Sequence, residues 1–137
     1  MGETESEAEP AYGDVMAWFD GYFIQVFGDS LGYRSGDGIP WCPQWWRHPS
    51  VAIRLDALWR SWEVARHGGG LGISFWLLDH ADPHIRALTS ERGPFRHCSI
   101  EHGHRATESL PVEAPEDNGL LFGDPAVRRN VRDPKRP

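Results

Sequence analysis

Long apolar runs are missing from this 137-residue chain, and its mean hydropathy is −0.53. A spanning helix needs roughly 20 apolar residues, and the best candidate, Ile73 to Leu78, stops at six with a serine inside. No membrane role is expected. Cysteine is nearly absent too: Cys42 and Cys98 are the only two, too few for a disulfide framework. The start, Met-Gly-Glu-Thr-Glu-Ser-Glu, is acidic with no apolar stretch behind it, the reverse of a secretory signal. The cytoplasm is therefore the expected compartment. Lysine occurs once, at Lys135, so the basic charge is carried by arginine. With abundant Gly, Ala and Pro, that pattern reads as coding bias before it reads as phosphate recognition.

The formal charge of −6 is uneven: residues 1–38 carry −7, residues 39–112 carry +1, and residues 113–137 balance. Three parts are expected on this basis. Residues 1–11, charged and poor in bulky apolar groups, read as a disordered acidic leader. Residues 12–111 read as one compact domain, and 112–137 as an irregular tail, basic at its end. In that tail Arg128, Arg129, Arg132, Lys135 and Arg136 face only Asp133, making them candidates for contact with nucleic acid.

Aromatic residues, at 12%, are plentiful. Val15, Trp18, Phe19, Tyr22, Phe23, Val26 and Phe27 recur at spacings of three and four after Asp14, predicting an N-capped amphipathic helix. Residues 28–40 form a glycine-rich loop. A second helix is expected from Pro49, suited to a first helical position, to about Arg66. Its apolar stripe is Val51, Leu55, Leu58, Trp59, Trp62 and Ala65, and Gly68-Gly69-Gly70 ends it. Residues 71–78 alternate in part and are rich in β-formers, which favours a buried strand over a helix. Asp82-Pro83 is expected to open a short helix through about Leu88. The fold class is mainly α, a small single domain with room for one short strand or hairpin. Trp41, Trp45 and Trp46 fall within six residues. They read as core first, and as a partner surface if exposed together.

The chemistry lies further along. His80, His84, His97, His102 and His104 are five of the seven histidines, and Cys98 sits among them. Paired ligands three to five residues apart, separated by about a dozen, are how short segments surround a tetrahedral zinc. The candidate ligands are His80, His84 and Cys98 with His102 or His104, and Asp79 and Asp82 can accept the outer imidazole N–H groups; without a metal the same residues read as a structural histidine–aspartate hydrogen-bond cluster. Pro83 opposes a single continuous helix through His80 and His84, because its ring clashes with the Asp79 carbonyl. Four protein ligands would make zinc structural. Three with a water would make a zinc hydrolase or nuclease, though no HExxH accompanies them. Structural zinc is favoured, since a small body with long loops gains from a staple. Cys42 has no partner two or three residues away and reads first as a packed thiol, and second as a further member of the metal site.

One resemblance emerges. Trp41-Cys42-Pro43-Gln44-Trp45-Trp46, His48-Pro49, Arg54-Leu55, Leu58-Trp59, Trp62-Glu63, Asp79-His80-Ala81-Asp82-Pro83-His84, Gly93-Pro94-Phe95 and Cys98 occur in this order. The run resembles the family numbered 4913 among domains of unknown function, over about residues 12–111. That family has Gly-His shortly after the cysteine, which Gly103-His104 matches, so the resemblance favours His104 over His102 as ligand. It implies no established activity. It does imply an actinobacterial accessory protein met on plasmids, conjugative elements and prophages. The expected function is thus a non-enzymatic accessory or interaction protein with an unidentified protein partner. The alternatives are a zinc hydrolase and a nucleic-acid-binding module.

Overall fold

The structure is a computed structural model and describes residues 9–31 and 39–114. The expected leader through residue 8 and the arginine cluster Arg128, Arg129, Arg132, Lys135 and Arg136 lie outside the described residues. Two units are distinguished, 1–107 and 108–137, and the helical body belongs to the first. Of the second, residues 108–114 are described, irregular and exposed.

Asp14, extended in backbone, caps the first helix: its Oδ1 accepts a hydrogen bond from the Ala17 N–H at 2.8 Å. The rod then runs without a break through α1 (Val15–Trp18), a wide π turn (Phe19–Phe23) and α2 (Ile24–Phe27). Trp18, Phe19 and Phe23 are its buried face. A short 3-10 turn (Trp45–Arg47) leads into α3 (Pro49–Ala65), the longest element. Val51, Leu55, Leu58 and Trp62 repeat every three or four residues along α3 and are all buried. Trp62 meets Tyr22 with ring centroids 4.5 Å apart and Trp18 at 6.3 Å, so the rod lies against α3 through aromatic faces.

Glu9 and Ala11, expected at the end of the leader, are tied to this helix. The Ala11 and Tyr12 N–H groups donate to the two Glu63 carboxylate oxygens at 2.9 and 3.0 Å, and Arg66 donates to the Glu9 carbonyl.

After α3 a 3-10 turn (Arg66–Gly68) brings the chain to Gly69, whose φ of 66° and ψ of −152° lie where only glycine is unstrained. That residue reverses the chain. From it run α4 (Gly69–Trp76), a second π turn (Leu77–Ala81) and α5 (Asp82–Thr89). Residues 71–78 are therefore helical, which corrects the strand expectation, and the described residues hold no strand beyond one isolated bridge, Ser99 with Gly103. Trp76 explains why. Its ring is almost fully buried edge-on against Trp18, and its indole N–H donates to Ser61 Oγ at 2.9 Å. Ile73 and Leu77 pack beside it against the core, at helical spacings of three and four, while Leu71, Phe75 and Leu78 stay exposed. That one-sided burial suits a helix, not an alternating strand.

Asp82 opens α5, as expected of the Asp82-Pro83 pair, but as its first helical residue and not as a side-chain N-cap, since the backbone runs on from the π turn in helical conformation. The widened turn ahead of it lets Pro83 sit inside a continuous helical path, because a proline needs room where the carbonyl four residues back would clash. Among the described residues no helix is long and apolar enough to cross a membrane.

Candidate metal centre

Two short segments far apart in sequence build the centre. In the first, Trp41 packs on Phe95 at 4.8 Å and on Phe19 at 6.1 Å, which fixes the strand of chain that carries Cys42 inward. Cys42 is wholly buried. The 3-10 turn that follows closes with His48 N–H donating to the Trp45 carbonyl at 3.1 Å. His48 precedes Pro49 and is extended (φ −102°, ψ 108°), the conformation a residue before proline prefers. Its carbonyl accepts from the N–H groups of Val51 and Ala52, so the residue that starts α3 also turns its ring back toward Cys42.

The second segment starts at the fully buried Phe95, whose ring stands edge-on to His48 at 5.2 Å. Cys98 follows, its N–H donating to the Phe95 carbonyl at 2.9 Å. Ser99 and Gly103 then exchange both backbone hydrogen bonds, at 3.2 and 2.8 Å, and pinch the chain into a tight loop. Gly103 has φ of 76°, in the left-handed region that favours glycine. The loop delivers His104 opposite Cys98, and Arg105 N–H donates to Cys98 Sγ at 3.3 Å.

One ligand atom from each of Cys42, His48, Cys98 and His104 lies within 4.8 Å of all the others. Cys42 Sγ is 3.3 Å from His104 Nδ1, and Cys98 Sγ is 3.5 Å from His48 Nε2. Around a tetrahedral ion with bonds of ~2.3 Å to sulfur and ~2.05 Å to nitrogen, a sulfur and a nitrogen stand about 3.6 Å apart. The two measured separations fit such an ion. Two thiols and two imidazoles are a borderline-soft set that suits a transition-metal dication and not calcium or magnesium.

The electrostatics agree. Burial pushes the Cys42 thiol up from its ordinary value, and the nearby Cys98 adds to this. The Gln44 N–H and Arg47 only partly offset it. Burial also holds the His48 imidazole below the ordinary histidine value, helped by His104 and Arg47, so it stays neutral, the form that ligates. A bound cation would deprotonate the thiols.

Cys98 and His104 thus meet as expected, but their partners are Cys42 and His48, not His80 and His84. His84 is engaged elsewhere: Arg54 donates to its Nδ1 at 3.0 Å, and burial with this guanidinium and His80 holds its pKa below the ordinary value. A lone pair facing an arginine is a poor place for a cation. His80, Asp79 and Asp82 are exposed on the same stretch of helix. His102 is exposed and uses its backbone N–H on Ser99 Oγ. Cys42 is a ligand candidate, not merely a packed thiol. A readable sign was present, since Cys42 to His48 and Cys98 to His104 share the spacing Cys-x5-His.

The tryptophans divide. Trp45 is 3% exposed, Trp41 is partly buried, and Trp46 is 49% exposed, so the three do not form one open surface.

The sequence over residues 12–116 matches the family described as Domain of unknown function (DUF4913), and the chain belongs to that family. No curated protein and no solved structure matches the chain.

Proposed function

We propose that the chain is a non-enzymatic accessory or interaction module whose loops are pinned by one structural zinc ion held by Cys42, His48, Cys98 and His104. The observation that carries this reading is the convergence of two Cys-x5-His segments on one point, with all four ligand atoms within 4.8 Å. Zinc is the ion of choice because it is bound by two thiolates and two imidazoles in closed, four-coordinate structural sites. Four protein ligands leave no position for water, which removes the central requirement of a zinc hydrolase. The zinc replaces core that a small body cannot supply, cross-linking the segment before α3 to the loop after α5. The biological setting proposed, an accessory protein of a bacterial mobile element acting on a protein partner in the cytoplasm, follows from the sequence resemblance.

Cobalt substitution tests the reading. The Co(II) protein is expected to show the intense visible bands of a tetrahedral ion and the near-ultraviolet charge-transfer bands of two thiolates. Weak, octahedral-type absorption that changes with added small anions would instead mean an open site and would sink the structural reading.

A further inference from the structure

Beside the metal centre lies a half-open cleft of about 280 Å³, whose wall includes the rings of His48 and His104. Arg47, Ser50, Arg96 and Thr107 line it, the rest being prolines and an alanine, and among the described residues no carboxylate lines it. Arg47 donates to Gln44 Oε1 at 2.9 Å and Arg96 to the Gly93 carbonyl at 3.2 Å, both neutral acceptors. Neither arginine has an ion-pair partner among the described residues. A zinc with two thiolates and two neutral imidazoles is neutral overall, so it does not cancel the two guanidiniums.

We propose that this cleft binds a phosphate group, as inorganic phosphate or as the head of a small phosphomonoester. Arg47 and Arg96 put two positive charges on one cleft, and an anion there would take the N–H donors they do not spend on Gln44 and Gly93. Ser50 and Thr107 add hydroxyl donors, and Ser50 lies in the first turn of the 17-residue α3, whose dipole favours an anion. Donors from several directions suit a tetrahedral oxyanion better than a flat carboxylate. The cleft is too small for a duplex but holds a phosphate with a short organic stem. The zinc reading enters at one point only: the metal fixes the His48 and His104 rings that form the wall.

The full zinc-loaded chain is titrated by calorimetry with inorganic phosphate and with glycerol phosphate, against chloride at equal ionic strength. Saturable binding is expected, with Arg47→Gln and Arg96→Gln each weakening it about tenfold or more. The control Arg60→Gln, on the charged pair with Asp56, is expected to leave it unchanged. Tighter binding of glycerol phosphate identifies an ester ligand, and equal or weaker binding identifies the free ion. No saturation up to about 10 mM of either probe, or binding as tight as wild type by both arginine variants, overturns the proposal. Zinc content is measured on every sample. Zinc-replete protein that ignores phosphate defeats the cleft alone, whereas arginine-dependent binding by a chain that takes no zinc defeats the metal reading alone.

Discussion

Cys42 Sγ and His104 Nδ1 lie 3.3 Å apart although 62 residues separate them in the chain. The contact joins the turn that starts α3 to the loop that follows α5. Its consequences for stability are therefore not local.

Removing a ligand is expected to remove the metal. Cys42→Ala and His48→Ala should each destabilise the zinc-loaded protein by at least about 2 kcal/mol, or about 10 °C in Tm. His80→Ala should leave Tm within a few degrees, because that side chain is exposed and outside the cluster. Thermal denaturation of the three variants checks this, and a His80→Ala loss matching that of Cys42→Ala would contradict it.

The loop glycine is the next test. A side chain at Gly103 must adopt φ of 76°, which costs an L-residue roughly 1–2 kcal/mol. Because the strain falls on the bend that presents His104, Gly103→Ala is expected to lower metal affinity about tenfold as well as stability. Competition with a chromophoric chelator measures it.

Acid is expected to destabilise the helical body in two windows. His84 has a folded pKa below its ordinary 6.5, so the unfolded chain binds more protons, and stability declines as pH falls below that value. Glu63 acts lower. Burial raises its pKa, but the N–H groups of Ala11 and Tyr12, the Trp59 indole and Arg66 outweigh it, and the net shift is downward from 4.5. Its contribution is present above 4.5 and is lost as pH falls through the depressed folded value. Glu63→Gln should cost about 1–3 kcal/mol at pH 7 and flatten the acid limb of a stability profile.

Two neighbouring tryptophans should behave oppositely. Trp45→Ala empties a 3%-exposed site and is expected to cost about 3–5 kcal/mol. Trp46→Ala, at a side chain 49% exposed, should cost about 1 kcal/mol or less. Chemical denaturation of the pair gives the comparison.

Much of the fold was legible because burial follows helical period. Trp18, Phe19 and Phe23 in the rod, and Val51, Leu55, Leu58 and Trp62 in α3, are among the residues the three-and-four spacing marked, whereas Val26, marked with them, is exposed. Residues 71–78 misled because half of their apolar side chains, Leu71, Phe75 and Leu78, are exposed and blur the helical spacing of the inward set Ile73, Trp76 and Leu77. The centre was half legible. Cys98 was found from local spacing, which left His102 and His104 open until the family resemblance favoured His104, while Cys42 and His48 lie 50 or more residues upstream, beyond the dozen-residue gap expected between zinc ligand pairs. His80 and His84 looked like a pair, but Arg54 on α3 occupies His84, a contact no local spacing shows.

Elemental analysis of the purified full chain and its Cys42→Ala variant, both produced with zinc in the medium, decides whether the two Cys-x5-His segments hold a metal. About one zinc per wild-type chain is expected, and less than about a tenth in the variant. A wild-type chain with less than about a tenth of an equivalent, or a variant that keeps its full complement, would contradict this.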